Sequence, residues 1–64
     1  MNIKDIGDRI KLLRKEKCMT QDQFAETLDL SSLHISNVER GTKMLSLDAL
    51  IKISNTYNIS VDYI

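Results

Sequence analysis

Thr20-Gln21-Asp22-Gln23-Phe24-Ala25-Glu26-Thr27-Leu28-Asp29-Leu30-Ser31-Ser32-Leu33-His34-Ile35-Ser36-Asn37-Val38-Glu39-Arg40-Gly41 spells out two helices and the turn between them. Thr20-Gln21-Asp22-Gln23 has the form of a capping box, with the Thr20 hydroxyl covering an orphan amide and Gln23 reaching back. Phe24, Ala25 and Leu28 follow as an apolar stripe, which predicts a helix over about 21–28. Ser31 is a second cap and Gly41 a stop, which predicts another helix over about 32–40. Only Asp29-Leu30-Ser31 joins the two. Short helices across so short a link must cross steeply, so residues of about 20–41 read as a helix-turn-helix unit.

Upstream, Ile3, Ile6, Ile10 and Leu13 recur at spacings of three and four and predict a helix over about 3–17. Asn2 is its cap, Asp5 suits the positive end of the helix dipole, and Lys15 and Lys17 suit the negative end. Downstream, Ser46 caps a fourth helix over about 47–57, where Leu47, Leu50, Ile51, Ser54 and Tyr57 keep helical spacing. Ile59-Ser60-Val61-Asp62-Tyr63-Ile64 reads as a new cap and a short fifth helix. The chain stops while that helix is still apolar, which suits either a complete small protein or a domain trimmed from a longer one.

Sixty-four residues allow one domain, 1–64, and a chain this short buries only about 60% of its unfolded surface. With no Pro and two Gly, long helices and short turns are favoured. No apolar run approaches the roughly 18 residues of a membrane span, and the N-terminus is too polar for a signal peptide. A single Cys forms no internal disulfide and suits a reducing cytoplasm. Net charge is zero, against the basic balance usual in nucleic-acid binders. The distribution is uneven, with six basic and three acidic groups in residues 1–18 and the reverse in 19–64. Contact with a polyanion would therefore rest on a few local cations.

The third helix presents a distinctive outer face. With Ile35 at zero and about 100° per residue, Val38 lies near 300°, so the core direction is near 330°. Asn37, Leu33, Arg40 and Ser36 then fall at about 200°, 160°, 140° and 100°, pointing away from the core, and Ser32 lies nearer the edge in the first turn. This face carries no acid. Hydroxyls and amides read base edges, and an apolar group meets a thymine methyl. Glu39, at about 40°, flanks the core and needs a partner, for which Arg14 is the candidate.

From Arg9 onward the chain resembles the Cro and phage-repressor (XRE-type) helix-turn-helix family. The resemblance is carried by Met19-Thr20-Gln21-Asp22-Gln23-Phe24-Ala25-Glu26-Thr27-Leu28, by Ile35-Ser36-Asn37-Val38-Glu39-Arg40-Gly41, by Arg9-Ile10-Lys11-Leu12-Leu13-Arg14 and by the tail 59–64. It implies an all-α, compact five-helix bundle with the helix-turn-helix formed by the second and third helices. It also implies a sequence-specific, duplex-DNA-binding transcriptional regulator, most simply a repressor. On that likeness Ser32, Leu33, Ser36 and Asn37 would read bases in the major groove. Gln21, Arg40, Thr42 and Lys43 would meet phosphates, with the Gly41 and Thr42 amides close by. Arg14 and Glu39 would form an internal ion pair. The implied partner is a palindromic operator bound by a homodimer, paired through C-terminal residues such as Tyr57, Ile59, Val61 and Tyr63.

Three departures from the family pattern bear on stability: Cys18 and Asp29 where turn glycines are common, and Leu45 where proline is frequent. Leu33 is a fourth, since polar residues are more usual there. With the neutral net charge it supports the alternative of an antitoxin-like or docking protein-interaction module. One His and one Cys make no zinc set, and no nucleophile–base pair or phosphate-cradling glycine loop is visible. No metal, cofactor, small-molecule site or enzymatic activity is therefore expected.

Overall fold

A computed structural model of the protein describes residues 2–60. Its helices are α1 (Ile3–Glu16), α2 (Gln21–Thr27), α3 (Ser32–Arg40) and α4 (Leu47–Tyr57). Each starts on a side-chain cap. Asn2 accepts from the Asp5 N–H, Thr20 from Gln23, Ser31 from His34 and Ser46 from Ala49. The Thr20 box is reciprocal, with Gln23 Oε1 taking the Thr20 N–H at 2.9 Å.

The helices end as consistently as they begin. Cys18, Asp29 and Asn58 each stand at φ 56° and Gly41 at φ 81°, so a left-handed residue follows every helix described. After α1 the Cys18 N–H returns to Lys15 O and the Met19 N–H to Arg14 O. After α2, Asp29 and Leu30 repeat the pattern onto Glu26 and Ala25. These are Schellman closures, which satisfy carbonyls that would otherwise be orphaned.

α3 is the central element, packed against both α1 and α2. Ile10 and Leu13 from α1, Phe24, Ala25 and Leu28 from α2 and its end, and Ile35 and Val38 from α3 build the core, closed by Leu45, Ala49 and Ile53. Phe24 is its centre, fully buried and stacked on Tyr57 with ring centroids 5.4 Å apart.

Two expectations are corrected. The described residues form four helices, not five. Left-handed Asn58 ends α4, the Ile59 N–H turns back to Ser54 O, and the Ser54 hydroxyl donates to Ile59 O. The expected fifth helix falls on 61–64, which lie outside the described residues. Second, the inward face of α4 runs through Ala49 and Ile53, with Leu50 and Tyr57 of the expected stripe packed partly against the core, whereas Leu47 is 67% and Ile51 43% exposed. Both sets keep helical spacing, and packing against the rest of the core selects the smaller one. Tyr57 and Ile59, named above for pairing, are partly buried against the core of their own chain. The Tyr57 hydroxyl lies 2.7 Å from Thr27 Oγ1 and donates to Met19 Sδ. Val61 and Tyr63 lie outside the described residues.

Candidate nucleic-acid interface

The described residues enclose no pocket, and no group of three or more His, Cys, Asp or Glu gathers among them for a metal ion. Nor is any described helix long and apolar enough to cross a membrane. The candidate site is therefore a surface, and its frame is α3. Ile35 and Val38 are buried and fix the rotation of the helix. On the other side Leu33 is 66% exposed, Arg40 is exposed, and Ser32, Ser36 and Asn37 are half-buried.

A buried ion pair holds this helix from behind. Arg14 Nε donates to Glu39 Oε2 at 2.7 Å and Nη2 to Oε1 at 3.1 Å, so the pair is bidentate. Arg14 Nη1 donates to Met19 O at 2.9 Å, and Gln21 Nε2 adds a fourth bond, to Glu39 Oε1. Side-chain exposures of 12% and 4% for Arg14 and Glu39 make desolvation costly for both. The network answers this by meeting the polar atoms, and no buried side-chain N or O among the described residues lacks a partner. Hydrogen bonding to Glu39 raises the Arg14 guanidinium above its usual range, over the opposing effect of burial, with the carboxylate's charge adding to the rise. α1, the start of α2 and the end of α3 are thus tied at one carboxylate.

Gln21 therefore spends one amide hydrogen inward, a bond the sequence reading did not anticipate. Thr42, though exposed, bonds back to α3, since its N–H and hydroxyl both donate to Asn37 O, at 2.9 and 3.1 Å, joined by the Lys43 N–H at 3.3 Å. The Gly41 N–H is taken by Val38 O. The backbone donors of 41–43 thus fasten the loop to α3 and are not splayed toward solvent. Arg40 and Lys43 remain exposed, and Arg40 Nη2 donates to Asn37 Oδ1.

Two residues that the sequence reading passed over shape this surface. Gly7 lies where α1 crosses α3, and a Cβ there would fall 2.1 Å from Val38 O. An isolated glycine inside a helical period is a signal of such close packing. Lys4 lies over the end of α3, its Cα and Cδ each 3.1 Å from where a Cβ on Gly41 would stand, and its ammonium pairs with Asp8 at 2.8 Å. Nothing local in the sequence announces that contact.

Comparison with known proteins accords with this geometry. A family model described as helix-turn-helix matches residues 10–64. The chain is 39% identical over 59 residues to the HTH-type transcriptional regulator ImmR of Bacillus subtilis, covering 92% of this chain and 46% of that protein. It is 37% identical to the immunity repressor protein of Bacillus phage phi105, over 92% and 41% of the two lengths. It is 39% identical to the control protein C.MunI of a Mycoplasma species, over 86% and 76%. The chain thus spans less than half the length of the first two. Among solved structures, the restriction-modification controller protein C.AhdI from Aeromonas hydrophila superposes with a TM-score of 0.84 at 27% identity, over 94% of this chain and 91% of that one. The matching family model and these relatives, together with the superposing fold, place the chain in the helix-turn-helix family of the Cro and phage-repressor (XRE) type.

Proposed function

We propose that this chain is a sequence-specific duplex-DNA-binding regulator of transcription, most simply a repressor, acting in the cytoplasm as a binder and not as an enzyme. The observation that carries the reading is the outer face of α3: acid-free, polar apart from Leu33, and held from behind by the Arg14–Glu39 pair. The names of the relatives, transcriptional regulators and repressors among them, point the same way.

In this reading α3 lies in the major groove, where Ser32, Ser36 and Asn37 meet base edges and Leu33 meets a thymine methyl. Arg40 and Lys43 meet phosphates and set the register. Gln21 bridges, with one amide hydrogen on Glu39 and its second toward the DNA backbone. Thr42 contributes by fastening the loop that carries Lys43. Two copies paired through their C-terminal ends would set their α3 helices about 34 Å apart, one turn of DNA, and so select a palindrome.

Selection from random duplex DNA tests this. Enrichment of a palindromic motif is the expected result. A docking module for a protein partner is the other reading, favoured by the exposed apolar side chains of Met44, Leu47 and Ile51. It predicts that no duplex is retained even at low salt, while a partner protein co-purifies.

A further inference from the structure

Gly41, the residue that ends α3, is covered by Lys4 from the first turn of α1. The Lys4 Cα, Cβ and Cδ stand 3.1, 3.2 and 3.1 Å from where a Cβ on Gly41 would lie. Contact at the Cα means that the packing of α1 on α3, and not a rotamer, brings Lys4 to this end. Arg40 and Lys43 flank the same glycine, and both are exposed. The N–H groups of Gly41, Thr42 and Lys43 are all taken by carbonyls of α3, so attraction for an anion at this end rests on side chains. The Lys4 ammonium pairs with Asp8 at 2.8 Å, and both side chains are more than half exposed. A lysine four residues before its acid is the weaker order on a helix, and exposed pairs of this kind hold loosely.

We infer that Lys4 is a further contact to the DNA backbone, supplied by α1, and that Asp8 restrains it. This rests on the proposed placement of α3 in the major groove. A helix in that groove runs between two rows of phosphates, and groups at its end set register on them. The distribution of charge supports the assignment. Arg40 and Lys43 both belong to residues 19–64, where acids outnumber bases six to three. The basic excess of residues 1–18 has no part in that set, and Arg14 is spent on Glu39. Lys4 brings one charge of the basic segment to the end of α3. An ammonium has three donors and no acceptor, so it can hold Asp8 and a phosphate oxygen together, or leave the loose pair for the phosphate. The Asp8 carboxylate competes for that ammonium and repels the same phosphate. A purely structural account of Lys4 is also at hand, since its stem covers Gly41 and a cation suits the negative end of α3. That role releases no counterion when DNA binds, which separates the two by experiment.

The test is binding of a random-sequence duplex, and of the duplex enriched by selection, over a series of salt concentrations. The proteins are the wild-type chain, Lys4→Met, Asp8→Asn and Lys52→Met. Methionine keeps an unbranched stem over Gly41 and removes the charge. Lys52→Met removes the same charge from α4, outside the proposed contacts. Lys4→Met is expected to weaken binding to both duplexes alike and to flatten the slope of log affinity against log salt by about 0.9, the value for one phosphate. Lys52→Met is expected to leave the slope as it is. Asp8→Asn is expected to tighten binding to both duplexes by about twofold. Melting curves report folding separately, and Asp8, being exposed, decides the matter should Lys4→Met fail to fold. An unchanged slope in folded Lys4→Met, an equal flattening in Lys52→Met, or no gain in Asp8→Asn removes the inference and leaves the DNA-binding reading standing. Retention of no duplex by the wild type removes both.

Discussion

Gly7 of α1 lies against the main chain of Val38 in α3, so close that a Cβ on Gly7 would fall 2.1 Å from the Val38 carbonyl oxygen and 3.1 Å from that of Glu39. The two helices cross backbone on backbone. The contact sits directly behind the surface proposed to bind DNA, so the spacing of α1 and α3 bears on how far the outer face of α3 stands out.

Gly7→Ala should therefore destabilise the protein, although alanine is favoured over glycine by about 1 kcal/mol in a helix interior. The obstructing atom is a backbone oxygen, which cannot rotate away, and overpacking of this kind costs about 1–3 kcal/mol. A lower urea midpoint with an unchanged slope is expected. A variant as stable as the parent would show that α1 and α3 do not approach so closely.

Arg14→Met should cost about 3–5 kcal/mol, since it leaves the buried Glu39 carboxylate with Gln21 as its remaining partner. That approaches the whole stability expected of a chain this short, at about 0.05–0.15 kcal/mol per residue. Adding Glu39→Met should recover much of the loss. Chemical denaturation of the two single variants and the double variant closes the cycle, and strict additivity would mean that the pair is not coupled.

Cys18→Gly should stabilise. A left-handed L-residue costs about 1–2 kcal/mol, and Cys18 stands at φ 56°. Glycine returns about 0.4–1 kcal/mol through the extra freedom of the unfolded chain. The net gain is about 1 kcal/mol or less, visible as a melting temperature a few degrees higher. A lower melting temperature would show that the Cys18 side chain has a packing role its exposure hides.

The Asp29 carboxyl should titrate below the usual aspartate range. A hydrogen bond from Lys52 at 2.7 Å is the main cause, with the lysine's charge second. Because the folded-state pKa is depressed, the stabilisation from this pair is present above the unfolded-state pKa and is lost as pH falls through the folded one. In an NMR titration of the carboxyl carbon, Lys52→Met should move the midpoint upward. Salt should shrink the shift, since both groups are exposed. A midpoint that ignores the substitution would show that the pair does not form in solution.

At the proposed interface, Asn37→Ala should cost about 1–3 kcal/mol at one base position. Lys43→Ala should weaken binding to all sequences alike and flatten the salt slope by about one. Equal loss on specific and random DNA for Asn37→Ala would remove it from base reading. An unaltered slope would remove Lys43 from the phosphate set.

The local parts of this fold can be read directly from the residues. Thr20, Ser31 and Ser46 cap where their side-chain types predict, and α3 and α4 keep the predicted bounds of 32–40 and 47–57. Ile35 and Val38 turn inward as their spacing requires. The α4 stripe is different. Leu47 and Ile51 share a helical period with each other just as Ala49 and Ile53 do, so periodicity alone could not choose between them. Gln21 and Thr42 are similar cases, because a residue type suited to phosphate serves equally well as an internal donor.

Caps, helix bounds and the rotation of α3 were thus set by the amino-acid order itself, since each depends on groups three or four residues apart. Which face of α4 is buried, where Tyr57 turns and how near α1 comes to α3 were settled only by the folded chain. Those outcomes rest on partners such as Thr27 and Tyr57, 30 residues apart. Their meeting depends on how whole helices pack, and a period along one helix carries no record of its neighbour's position.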